Sequence, residues 1–235
     1  WADRPSLELF TSLANDSDAT QVPLMAVLSS RPDARTEAAL SGLPHIEVGE
    51  LEDAERRRLI AGRFDGAQVP SDVSQAIVQR AGGNPFFIIE LVEALVDRGV
   101  VTLEGEGRER RVVRKPGVPI ALPTTLEGVI AARLDELPEA ERRAIRWLAA
   151  AGAGISPKAL SKMAGTDLDE ALATLEERGF VSRNHGDTYG FPSAVVRHVA
   201  YETTDEADRE TMHKQIGAWL SAQRVPAPPA RVARH

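Results

Sequence analysis

The sequence predicts a mainly α fold with a partial α/β segment, and three observations carry that expectation. From about Val69 onward, apolar residues recur at three- and four-residue spacing through a series of helix-length segments. The run Val22 to Leu28 is apolar throughout apart from Pro23, the pattern of a strand buried on both faces, as in a parallel sheet. Two short strand pairs are joined by turn-forming residues, Glu104-Gly105-Glu106-Gly107 and Asn184-His185-Gly186-Asp187, and read as hairpins.

The chain moves into a helix from about Pro5 to Ala14. The apolar strand then ends in Ser29-Ser30-Arg31-Pro32, where Pro32 biases Arg31 to extended geometry at the strand's carboxyl edge. Open α/β sheets bind ligands at that edge. A helix at Thr36 to Leu40, a short strand at Ile46 to Val48 and a helix at Ala54 to Phe64 continue an α/β rhythm. Two strands do not make a stable sheet core, so further strands are expected upstream of Trp1, and the start at Trp1 reads as that of a fragment or processed product.

A helix at Ser71 to Arg80 leads into Gly82-Gly83-Asn84-Pro85-Phe86-Phe87. Asn84 is placed to cap the following helix, and Pro85 at its first position gives up only an N–H that lacks a helical partner anyway. Phe86, Phe87, Ile88, Ile89, Leu91, Val92 and Leu95 supply a wide apolar face, with Phe86 and Phe87 read as core. Glu90, Glu93 and Asp97 are expected on the opposite, polar side, and Gly99 as a left-handed stop. The hairpin pairs Val100 to Leu103 with Arg110 to Val113. Pro116, Pro119 and Pro123 mark a boundary, followed by helices at Thr125 to Glu136, Glu139 to Ala150, Pro157 to Met163 and Leu168 to Arg178. Strands at Phe180 to Ser182 and Thr188 to Phe191 complete the order of a winged helix. A last amphipathic helix carries Met212, Ile216, Trp219 and Leu220, and a Pro-rich tail runs from Val225 to His235.

Composition narrows the function classes. The 235 residues are 43% hydrophobic and 27% charged, as in a soluble globular protein with an aliphatic core. A net charge of -7 argues against a dominant nucleic-acid surface. Cysteine is absent, which removes disulfides, thiolate catalysis and cysteine zinc sites, and His185, His198, His213 and His235 lack metal-ligand spacing. No run reaches the ~20 apolar residues of a membrane helix and no signal peptide is visible, so the expected location is cytoplasmic.

Taken in series, the motifs resemble the carboxyl part of a STAND-type signalling ATPase, the P-loop class fused to bacterial cyclases, kinases and transcription regulators. Trp1-Ala2-Asp3 resembles the end of its Walker B run, and Ser29-Ser30-Arg31-Pro32 its sensor-1 position. Gly83-Asn84-Pro85-Phe86-Phe87 resembles its glycine-x-proline element. Leu122-Pro123-Thr124-Thr125-Leu126 and Arg133-Leu134-Asp135-Glu136-Leu137 are similar to the segment leading into its winged helix. The resemblance implies a P-loop core ending near residue 66, a helical lid with hairpin over 67–118, a winged helix over 119–203, and an amphipathic helix and tail over 204–235. It further implies that Arg31 approaches the terminal phosphate of ATP or ADP with Mg, and that Gly83, Asn84 and Pro85 contact the nucleotide, Pro85 against the base.

Two departures accompany it. No Gly-x-x-x-x-Gly-Lys-[Ser/Thr] loop occurs in the chain, so these residues are expected not to hydrolyse ATP themselves. In Phe191-Pro192-Ser193-Ala194-Val195-Val196-Arg197, Ser193 stands where the family usually has histidine. The expected partners are flanking domains of the same polypeptide and other proteins. Asp167, Asp169, Glu170, Glu176 and Glu177 outweigh Arg178 on the would-be recognition helix and would repel DNA phosphates. The basic cluster Arg108, Arg110, Arg111, Arg114 and Lys115, interleaved with Glu104, Glu106 and Glu109, reads as a solvated edge. The rival reading is a winged-helix interaction or transcription module that needs no nucleotide.

Overall fold

The computed structural model describes residues 4–15, 27–30, 38, 44–107, 110–152, 154–184 and 186–222. Two compact units divide the chain, Trp1–Gly49 and Glu50–His235. Among the described residues the fold is mainly helical, with two small antiparallel sheets of two strands each.

In the first unit, helix α1 (Arg4–Asn15) extends one residue beyond expectation at each end and exposes Leu9 and Phe10. Ala38 is helical, as expected at 36–40. Residues 22–26 and Arg31 lie outside the described residues, and Val27 and Leu28 have no regular structure. The strand expected at Ile46 to Val48 does not form: both side chains are about nine-tenths exposed, at 92% and 90%. The local alternation is that of a strand, but a strand also needs a neighbour to pair its N–H and C=O groups, and no described segment runs beside these residues. No parallel sheet occurs among the described residues.

The second unit begins with α2 (Asp53–Gly62). The Glu52 N–H donates to Glu55 Oε2 at 2.9 Å, half of a capping box. Helices α3 (Ser71–Ala81) and α4 (Pro85–Asp97) follow, and α4 packs on both α2 and α3. Ile60, Val73, Ile77, Ile88, Leu91 and Leu95 form a first apolar cluster, each with no exposed surface. Gly99, at φ +61°, ends α4 as expected. Strands β1 (Val101–Glu104) and β2 (Arg111–Arg114) pair from Val101↔Arg114 to Glu104↔Arg111, with Gly105 and Gly107 both at positive φ in the connection. Val112 enters the first cluster, and its N–H donates to the Gln68 carbonyl at 3.0 Å, tying the hairpin to the α2–α3 connection.

Helix α5 (Leu126–Asp135) starts at Thr125, whose Oγ1 accepts the Gly128 N–H at 3.1 Å, and packs along α4. Beyond it, α6 (Glu139–Ala151), α7 (Pro157–Ala164), α8 (Asp169–Glu177), β3 (Ser182–Asn184), β4 (Thr188–Gly190), α9 (Ala194–Glu202) and α10 (Glu206–Ser221) surround a second cluster. Ile130, Ile145, Leu148, Leu160, Leu172 and Leu175 lie at its centre. A bridge joins Ile155 to Tyr189: the Tyr189 N–H donates to the Ile155 carbonyl at 2.8 Å, fastening the α6–α7 connection alongside β4.

Two sequence expectations change here. The third strand begins at Ser182, not Phe180, because Phe180 and Val181 belong to the stop of α8. Gly179 takes φ +74° and the Phe180 N–H returns to the Leu175 carbonyl at 2.9 Å, so the two buried apolar side chains fold back on the helix. Residues 194–202, not assigned an element from sequence, form α9, capped by Ser193 Oγ accepting the Val195 N–H at 3.1 Å. Ser193 therefore has a structural task at the position where the resembled family carries histidine.

Close approach fixes one glycine. Gly83 is buried, its carbonyl accepts the Leu51 N–H at 3.2 Å, and a Cβ there would fall 2.2 Å from Glu50 Cβ. Gly83→Ala is expected to cost about 1–3 kcal/mol of stability in a urea melt. Gly62→Ala, where a Cβ meets nothing within 4 Å, is expected to be neutral or slightly stabilising.

Candidate functional site

Of the four residues expected to contact nucleotide, Arg31 lies outside the described residues. Gly83, Asn84 and Pro85 are contiguous at the start of α4, and their geometry decides what they can offer. The first helical N–H groups are all accounted for. Pro85 has none, Phe86 and Phe87 donate to Asn84 Oδ1 at 3.0 and 3.2 Å, and Ile88 donates to the Asn84 carbonyl at 3.1 Å. The helix start thus holds no spare backbone donor for an anion, while the Pro85 ring is exposed. Phe87 is buried in the first cluster, and the half-buried Phe86 packs against the second.

The other end of the same helix carries the most concentrated polar chemistry of the unit. Arg133, on α5, is only 2% exposed, and each nitrogen of its guanidinium is engaged. Nη1 donates to Glu90 Oε2 at 2.6 Å, Nε to Asp97 Oδ2 at 2.8 Å, and Nη2 to the Arg178 carbonyl at 3.1 Å. Its face lies 4.4 Å from the centre of the Phe180 ring. Arg178 closes the set with Nη2 3.2 Å from Asp97 Oδ1. Two carboxylates and two guanidiniums therefore neutralise one another where α4, α5 and the end of α8 meet. Asp97 and Glu90 are seven residues apart, two turns along one face of α4.

Here the sequence reading is corrected. Glu90 and Asp97 do not lie on a solvent face: Glu90 is 4% exposed and the Asp97 side chain 12%. Glu93 remains nearer the surface and pairs with Arg63, just past the end of α2. A buried arginine is the signal that was missed, and Arg133 stands among Val129, Ile130 and Leu134 on the core-facing side of α5. Burial pushes the Glu90 carboxyl above its ordinary value. Arg133 pulls it back by charge and hydrogen bond, and Glu93 and Asp97 add smaller upward pushes.

Elsewhere the polar groups serve local structure. Arg183 Nη2 donates to the Tyr189 hydroxyl at 2.6 Å, which donates to Glu176 Oε2 at 3.2 Å, and this joins the β3–β4 hairpin to α8. Burial raises the Tyr189 phenol despite Arg183. Arg110 and Arg114 of the basic cluster pair with Asp65 and Asp72, both at 2.5 Å, while Arg108 lies outside the described residues. A depression lined by Leu134, Asp135, Arg142, Ile145, Arg146, Ala200 and Thr203 has room for about one water molecule. Among the described residues, no group of three or more His, Asp or Glu is placed to hold a metal, and no helix is long and apolar enough to cross a membrane.

The family model described as Domain of unknown function (DUF8739) matches residues 52–109, which span α2, α3, α4 and β1 with the Asn84–Pro85 entry and the Glu90 and Asp97 carboxylates. No curated protein and no solved structure matches the chain.

Asn84→Ala leaves two N–H groups without their acceptor, and a loss of about 1 kcal/mol in thermal or urea unfolding is expected. Arg133→Met strands the buried Glu90 carboxylate, Asp97 keeping Arg178, and is expected to cost about 3–5 kcal/mol. Because the folded chain holds the Glu90 proton more tightly than the unfolded chain, the wild type loses stability as pH rises from the ordinary glutamate value through the raised one. Glu90→Gln lacks that dependence. Unfolding measured across this window should show the wild-type advantage over Glu90→Gln shrinking as pH rises.

Proposed function

We propose that this chain is a nucleotide-dependent regulatory module of a signalling or transcription-regulating protein, resembling the lid and winged helix of a STAND-type ATPase. In this reading residues 67–118 act as the lid and residues 119–203 as the winged helix. The carrying observation is the exposed Pro85 at the first position of α4, beside N–H groups already taken up by Asn84. Such a surface suits contact with the flat face of a base and is poorly equipped to grip a phosphate, in keeping with the base-side role the resemblance implies. The order of α6, the Ile155 bridge, α7, α8 and the β3–β4 hairpin supports the winged-helix half of the reading. The phosphate side, with Mg and the terminal-phosphate contact of Arg31, would be completed by a loop these 235 residues do not contain.

A second reading is favoured by the acidic, exposed Asp169, Glu170 and Glu177 of α8. In that reading the module docks a protein partner without nucleotide. The same charges disfavour DNA, whose binding depends on phosphate neutralisation.

Equilibrium binding of ATP and ADP to the intact polypeptide separates the two. Arg31→Ala and Pro85→Ala are each expected to weaken nucleotide affinity about tenfold, equivalent to ~1.4 kcal/mol. Unchanged affinity in both variants refutes the site, and an intact polypeptide that binds neither nucleotide refutes the reading. The 235-residue chain alone is expected to show no ATP turnover above buffer.

A further inference from the structure

We propose that Arg133 is a register pin: it selects one longitudinal position of α4 against α5, and its network serves that selection more than stability. The inference concerns the folded chain itself and holds whether or not a nucleotide acts on it.

The two apolar clusters on either side of the seam are non-directional. Aliphatic side chains such as Leu91, Leu95, Val129 and Ile130 pack by volume, and helices slid by one turn would still present apolar surface to each other. The polar set is not so tolerant. Arg133 Nη1 meets Glu90 and Nε meets Asp97, and only two carboxylates spaced two turns apart satisfy both donors.

Sliding α4 by a turn breaks the match in either direction. In one direction Glu93 or Ala94 replaces Glu90, and the position of Asp97 falls to Val100 or Val101, which offer no side-chain acceptor. In the other, Glu93 or Ala94 stands in for Asp97, and Phe86 or Phe87 stands in for Glu90. Each slip leaves a buried guanidinium donor unpaired and a carboxylate stranded, costs that apolar packing does not recover. Glu93 is also already held by Arg63 at the end of α2, just outside the helix, which opposes its recruitment. The Nη2 bond to the Arg178 carbonyl and the stacking on Phe180 extend the same alignment to the end of α8, so one side chain sets three segments.

Charge alone does not explain the arrangement, because a desolvated ion pair is commonly no more stabilising than an apolar pair of the same volume. The double substitution Arg133→Met with Glu90→Met removes the pair while leaving Asp97 joined to Arg178. The expected result is a cooperative melt at or above the wild-type temperature. With it should come more than one set of amide resonances for α4 and α5, and hydrogen exchange there at least tenfold faster. A single set at wild-type exchange rates overturns the proposal, and so does loss of the cooperative melt, which would make the network a source of stability instead. Arg133→Lys supplies the second test, since one ammonium reaches only one carboxylate at a time. Multiple resonance sets in α4 and α5 are expected for the folded lysine variant, and a single wild-type-like set overturns the pin.

Discussion

The second unit turns on one buried guanidinium. Arg133 lies between two apolar clusters that otherwise meet through side chains such as Leu126, which packs against both. Removing a charge of this kind from water is expensive, and the cost is offset only because Glu90, Asp97, the Arg178 carbonyl and the Phe180 ring are all in place. The position of α4 is therefore linked to that of α5 and to the entry into the β3–β4 hairpin. Pro85 sits at one end of α4 and Asp97 at the other, so the exposed proline and the hairpin belong to one mechanically continuous path.

That continuity gives the proposed function a physical route. A ligand resting on Pro85 gains nothing from the helix N–H groups, which Asn84 has satisfied, and would act by pressing on or ordering the start of a rigid helix. α4 packs on α2, α3 and α5 and its far end is ion-paired, so displacement at Pro85 would be felt at Asp97 and its partners. The same rigidity would serve a partner protein bound at α8, because Arg178 at the end of that helix shares the Asp97 carboxylate with Arg133.

Much of the second unit was legible from residue order. Asn84 marked a helix start through its side-chain acceptor, and Gly99, Gly105 and Gly107 marked positions needing positive φ. What failed were features that depend on distant residues. Ile46 and Val48 alternate like a strand, but alternation cannot supply the neighbouring strand. Phe180 and Val181 have the composition of a strand start, yet Gly179 turns them back onto α8. Helix α9 does carry a local signal, Ser193 followed by Val196, Val199 and Ala200 at helical spacing, within the run that resembles a family motif. The ion-paired seam was least legible, because Glu90 and Asp97 look solvated until α5 brings Arg133 against them.

The central claim is that the helices before and after Arg133 form one cooperative structure. Native-state hydrogen exchange in increasing denaturant tests it most directly, by following amides of α3 and α4 alongside those of α6 and α8. The account predicts that their opening free energies merge into a single isotherm at low denaturant. Two isotherms that stay separate up to the unfolding transition, one for each apolar cluster, would contradict it.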